Sequence, residues 1–148
     1  MTTTSVSVSV DVDAPAERTW GVVTDWVRQG EWMPLTSVVL SADSQPGLGA
    51  RLTARSGVGL ATVVDPMVVS VWEPPTYCEV EHRGKVVTGR GIFRVEQLGA
   101  DRSRFTWQES LDSRGVRLLV DRAAKPATRL LLSVAVRRLA RLIAAEAT

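Results

Sequence analysis

The sequence predicts an α+β fold: a curved antiparallel sheet of about seven strands wrapped around a long C-terminal helix, with two short helices after the first strand. Three patterns lead there. Val6, Val8, Val10 and Val12 alternate with Ser5, Ser7, Ser9, Asp11 and Asp13, so the first strand has one apolar and one wet face. From Arg114 the apolar period becomes helical, marked by Leu118, Leu119, Ala123, Ala127, Leu130, Leu131, Val134, Ala135, Leu139, Leu142 and Ile143. Between these two elements, strand-like runs are joined by turns too short to cross a sheet, which makes them antiparallel neighbours.

Each element has its own local reason. Asp13 is placed to cap the first short helix, with Pro15 in its first turn, where a missing N–H costs nothing. Ala16, Trp20 and Val23 recur at helical spacing, and a second short helix carrying Trp26 and Trp32 stops at Pro34. Residues 35–42 read as a strand and 44–49 as a turn. Residues 50–56 and 60–72 are the next two strands, the second broken or bulged at Asp65-Pro66 because proline cannot donate to a central ladder. Glu73-Pro74-Pro75 is a stop. Residues 77–82 and 86–97 pair through a tight turn at Arg83-Gly84-Lys85, and 98–102 turns the chain into a last strand, 103–111. Pro126 falls inside the terminal helix, which either kinks there or divides into an arm, 115–124, and a main helix. With Ser113-Arg114-Gly115 as its joint, residues 113–125 are the expected gate of a container.

Composition bounds the function. The chain has 148 residues, 45% of them hydrophobic and 23% charged, which suits one globular domain with a sizeable core and excludes disorder. A single cysteine, Cys78, rules out an internal disulfide and fits a reducing compartment. One Cys and one His argue against a protein-built zinc or iron site, and no cofactor is expected. The first residues lack the charged and apolar regions of a signal peptide, and no run reaches the ~18 apolar residues of a membrane span, so a cytoplasmic protein is expected. Eight basic residues against one acid, Asp121, lie between Arg114 and Arg141. A solvated helix face is the ordinary explanation, and contact with acidic lipid headgroups the alternative. Aromatics are scarce among those arginines, so nucleic acid is not an expected partner.

Several motifs together resemble a family. They are the stretch from Val10 to Pro34 with its D-A-P-A-E-R-T-W, T-D-W and W-M-P elements, the Pro-Gly turn ahead of the third strand, W-E-P-P at 72–75, the hairpin from His82 to Phe93, and R-F-T-W-Q-E at 104–109. On these the chain is similar to the START/Bet v 1-like superfamily, specifically its bacterial polyketide cyclase/dehydrase and lipid-transport group. The resemblance spans nearly the whole length and implies the helix-grip fold, with a lipid, polyketide or similar ligand between sheet and helix. It brings no shared catalytic signature.

The residues themselves suggest where chemistry would lie. On the last strand Phe105, Trp107, Glu109 and Leu111 share a parity, so Glu109 faces inward with the apolar set. Such a carboxylate either orients a ligand or handles a proton; the plainer reading has it reach water at the strand end and pair with an arginine. His82 shares parity with Cys78 and Val80 and lines the same space, or is exposed beside its turn. Trp20 and Trp107 read as core, Trp26 and Trp32 as cavity rim. Gly89 and Gly91 either curve the sheet or leave room for a ligand. Tyr77 and Asp25 could reach the cavity ends, Asp25 alternatively as a cap. The expected pocket wall is Trp26, Trp32, Met33, Met67, Val80, His82, Gly91, Phe93, Trp107, Glu109, Leu119 and Ala123. The leading expectation is a binder of a small hydrophobic molecule. The rivals are an aromatic cyclase or dehydratase using Glu109 and His82 as acid/base groups, and an interaction module with a vestigial cavity. Nothing in the sequence fixes an oligomeric state.

Overall fold

The computed structural model describes residues 2–85, 87–113 and 117–147, with side chains at 4–85, 87–112 and 125–147. Seven strands, β1 (Thr2–Val12), β2 (Thr36–Leu40), β3 (Arg51–Ser56), β4 (Val63–Glu73), β5 (Tyr77–Arg83), β6 (Thr88–Gly99) and β7 (Arg102–Ser113), form one antiparallel sheet in the order β1-β7-β6-β5-β4-β3-β2. After β1 come α1 (Ala16–Val23), a 3₁₀ turn at Trp26–Arg28 and α2 (Gln29–Trp32); α3 (Arg117–Glu146) closes the chain. The first strand pairs with the last, Val8 opposite Trp107 and Val10 opposite Phe105, which curls the sheet around its apolar face. Among the described residues no helix is long and apolar enough to cross a membrane.

The predicted architecture holds, with local corrections. Asp13 does not cap α1. Pro15 takes the N-cap position, and the orphan Ala16 N–H donates to Gln97 Oε1 at 2.6 Å. The same carboxamide donates from Nε2 to the carbonyls of Gly99 and Ala100, so one side chain ties the β6–β7 turn to the helix start. β4 begins at Val63 rather than residue 60, because Gly59–Ala61 is a 3₁₀ turn with Leu60 fully exposed. No break occurs at Asp65-Pro66. Pro66 pairs with Thr53 but lies beyond the last β4–β5 pair, Met67 with His82, so it serves one neighbour only. The bulge falls instead between Val69 and Val71.

The terminal helix is continuous. α3 carries Pro126 inside it and does not divide into arm and main helix; the cost is the hydrogen bond that proline cannot give. Arg114 and Gly115 of the expected joint, and the side chains of 117–124, lie outside the described residues. Leu132, Ala135, Val136, Leu139 and Ile143 dock on the sheet, chiefly against β1. Leu130 and Leu131, expected in that stripe, are exposed instead. The helix end is moored by Arg28, which pairs with Glu31 and Glu146, and by Arg18, which donates to the Ile143 carbonyl. Lys125, Arg129, Arg137, Arg138 and Arg141 are exposed.

Trp32 is core, not rim. Fully buried, it meets Phe93, Phe105 and Trp107 at ring distances of 6.4, 6.2 and 5.5 Å, mostly edge to face. Short α2 thus drives its tryptophan into the middle of the sheet's inner face. Because Gln97 holds the start of α1, Gln97→Ala should cost about 1 kcal/mol in denaturant unfolding, the usual size of a lost cap. Asp13→Ala should stay within ~0.5 kcal/mol. Equal effects of the two would restore the Asp13 cap.

Candidate functional site

Four neighbouring strands bring a short polar chain onto the otherwise apolar inner face. Asp65 on β4 shares parity with Met67 and Val69, and Met67 stands opposite His82 on β5. Glu109 and Trp107 stand on β7, Glu109 opposite Gly91 of β6 and Trp107 opposite Phe93. His82 and Glu109 are therefore two strands apart, roughly 10 Å at ordinary strand spacing. A side chain on β6 would separate them. The residues between are glycines: Gly89 opposite His82 and Gly91 opposite Glu109. The Glu109 and His82 side chains meet across this gap, with Nε2 and Oε2 3.0 Å apart.

The two glycines are required for different reasons. Gly89 has φ +121° and a Cβ there would sit 2.1 Å from the Ser110 carbonyl oxygen, so its backbone admits no side chain. Gly91 is held by its neighbour: a Cβ would lie 3.0 Å from Glu109 Oε1. The room it leaves is filled by a carboxylate of the protein itself.

His82 is bonded at both nitrogens. Nδ1 faces Asp65 Oδ2 at 2.7 Å while Nε2 faces Glu109, and the histidine side chain is only 7% exposed. Burial by itself would push the imidazole down. Hydrogen bonds to Asp65 and then Glu109, helped by both charges, overcome this and lift it to about 10. It is an imidazolium at neutral pH, and both ring N–H groups donate. Trp107 Nε1 donates to Glu109 Oε1 at 2.7 Å, so each Glu109 oxygen already accepts one bond. Among the described residues no arginine pairs with Glu109. Asp65 Oδ1 is buried without a partner. Cys78 is no rival nucleophile: burial pushes its thiol up to about 12. Among the described residues no set of three or more His, Cys, Asp or Glu side chains is arranged to hold a metal ion.

The pair lines a small, partly open pocket of about 30 Å³ together with Trp26, Gln29, Leu52, Met67, Val80, Gly91, Phe93 and Trp107. Eight expected wall residues thus fall together: Trp26, Met67, Val80, His82, Gly91, Phe93, Trp107 and Glu109. Trp32 and Met33 lie in the core, not on this wall. The side chains of Leu119 and Ala123 are outside the described residues. Asp65, Gln29 and Leu52 were not expected. Asp65 was legible from its parity with Met67, had Pro66 not suggested a break. Tyr77 does not reach the cavity; its hydroxyl donates to Glu79 and Arg94 lies over its ring. Asp25 opens the 3₁₀ turn without a side-chain cap bond. A larger depression, about 600 Å³, is lined by Ser70, Glu79, Glu81, Arg90, Ser110 and Asp112. It is polar and open, and Tyr77, Arg83 and Arg90 engage its Glu79 and Glu81, so it is not the container.

The histidine makes stability pH-dependent. Its pKa is raised on folding, so the stabilisation is complete below the unfolded value near 6.5 and is lost as pH rises through about 10. The melting temperature should fall across that interval. Glu109→Gln removes one charge and should move the fall to lower pH. A flat profile, or one unchanged by Glu109→Gln, would contradict the arrangement.

The sequence pattern of the family described as polyketide cyclase / dehydrase and lipid transport matches residues 3–144. No curated protein sequence matches the chain. Among solved structures, a protein of Thermus thermophilus superposes with TM-score 0.83 at 11% identity, covering 98% of this chain and 100% of that one. An aromatase/cyclase of a Streptomyces species gives 0.72 at 16% identity, with 95% and 96% covered. A norcoclaurine synthase of Thalictrum gives 0.74 at 13% identity, with 99% and 98% covered. At these identities the likeness is one of fold. The family pattern extends over nearly the entire sequence, and the chain belongs to the polyketide cyclase / dehydrase and lipid transport family.

Proposed function

We propose that the protein binds a small, largely apolar molecule between sheet and α3 and carries out acid–base chemistry on it, of the dehydratase or cyclase type. The observation that carries this reading is the buried Asp65–His82–Glu109 chain at the cavity wall. A passive lipid carrier has no use for two ionisable groups on the wall with a third behind them, and each costs desolvation. Lipid carriage also asks for a wide apolar cavity, whereas the described side chains leave only about 30 Å³, against the 300 Å³ or more of common ligand sites. A larger ligand must part side chains to enter.

The roles follow from the hydrogen bonds. For a β-hydroxy carbonyl compound, Glu109 takes the proton from the carbon next to the carbonyl. Imidazolium His82 gives its Nε2 proton to the departing hydroxyl, which leaves as water, and a double bond forms between the two carbons. The proton on Glu109 then returns to His82 across their 3.0 Å contact, so the cycle is proton-neutral. Asp65 holds the ring and stabilises its cationic form, while Trp107 fixes the carboxylate.

The aldol adduct of benzaldehyde and acetone is a suitable probe, since its dehydration to a conjugated enone is read by absorbance. The protein should accelerate that step. Glu109→Gln and His82→Gln should each lose roughly a hundredfold or more. Absence of acceleration by the unaltered protein, or full activity in Glu109→Gln, overturns the acid–base reading. Saturable uptake of a fluorescent fatty acid without turnover would return it to a carrier.

A further inference from the structure

Two polar side chains are buried on the wall formed by the short helices. Trp26 is 5% exposed, and its Nε1–H has no hydrogen-bond partner. Gln29, one turn further on, is 8% exposed and presents a carboxamide on the same short segment. Both border the same 30 Å³ cavity as Glu109 and His82. Between the two ends the wall is Leu52, Met67, Val80 and Phe93, with the Phe93 ring 5.7 Å from Trp26 and 5.3 Å from Trp107.

A buried donor left unpaired costs about 1–3 kcal/mol, a cost met by Trp26 Nε1 on this cavity and by Trp32 Nε1 in the aromatic core. An apolar ring at position 26 would remove that cost. Segment 26–29 is also firmly seated: Arg28 N donates to the Asp25 carbonyl, Met33 N to that of Gln29, and Gly30 packs so close to Thr36 that a Cβ would lie 2.8 Å from its carbonyl oxygen. The donors stand on a rigid support.

We infer that Trp26 Nε1–H and the Gln29 carboxamide form an acceptor-binding subsite, which takes a carbonyl oxygen of the ligand while its hydroxyl-bearing end meets Glu109 and His82. The inference rests on the acid–base reading above and deepens it. When Glu109 removes the neighbouring proton, negative charge develops on that carbonyl oxygen, and fixed donors stabilise such charge effectively. The ligand class follows from that step: a β-hydroxy carbonyl compound with its carbonyl oxygen on the two donors, its hydroxyl at His82 and the rest of its body apolar.

The test uses two probes of nearly equal shape, para-hydroxyacetophenone and para-ethylphenol, the second lacking only the carbonyl oxygen. Binding is followed by tryptophan fluorescence and calorimetry on the full chain. The acetophenone should bind about tenfold more tightly to the unaltered protein, a ratio worth one hydrogen bond to a buried donor. Trp26→Phe and Gln29→Leu should each reduce this ratio toward one while leaving ethylphenol affinity unchanged. Glu109→Gln should keep the ratio. Equal binding of both probes to the unaltered protein overturns the subsite and leaves the container standing. A tenfold ratio that survives both substitutions overturns it as well. Failure of both probes to bind at all removes the container and the subsite with it.

Discussion

His82 lies between two carboxylates in a sheet that is otherwise apolar on that face, and the surrounding features answer to it. The imidazolium needs both partners, because one carboxylate alone would leave a ring N–H buried and unpaired. Asp65 arrives from β4 and Glu109 from β7, with β6 in between. The glycines of β6 thus make room for the ion pair: a Cβ at position 91 would lie 3.0 Å from Glu109 Oε1 and press on the carboxylate. Trp107 turns its N–H onto the same carboxylate and its ring into the aromatic core with Trp32 and Phe93, linking the polar chain to the packing of the fold.

The arrangement trades stability for chemistry. Replacing a buried ion pair with apolar residues of similar volume is often neutral or favourable, so two ionisable groups at a cavity wall with a third behind them are poor evidence of a stabilising design. The unpaired Asp65 Oδ1 and the unpaired Trp26 N–H extend the same concession. The rest of the domain bears the cost through the docking of Leu132, Ala135, Val136, Leu139 and Ile143 of α3 and the dense aromatic centre around Trp32.

Much of the fold was legible because strands and amphipathic helices write their period into the chain. Valine alternation gave β1, and the inward parity of β7 correctly carried Glu109 to the cavity. What local pattern could not supply were contacts between strands far apart in sequence. Gly89 and Gly91 read as curvature or open space, since only the register of β6 against β5 and β7 reveals that they let His82 and Glu109 meet. Asp65 was hidden by Pro66, whose ladder penalty depends on how many neighbours it must serve. Trp32 sits at the centre because α2 enters the curl of the sheet, which its four-residue length does not announce. Leu130 and Leu131 fit the helical stripe by spacing, yet the docked face runs through Leu132 and Val136, a rotation that only packing decides.

The central claim is that His82 is a cation clasped at both nitrogens. Nitrogen chemical shifts of the single histidine, recorded on uniformly labelled protein at neutral pH, test it directly. Both ring nitrogens should carry the signature of protonated imidazolium, persisting until the pH approaches about 10. A single pyridine-type nitrogen at neutral pH would mean a neutral ring, and would contradict the account.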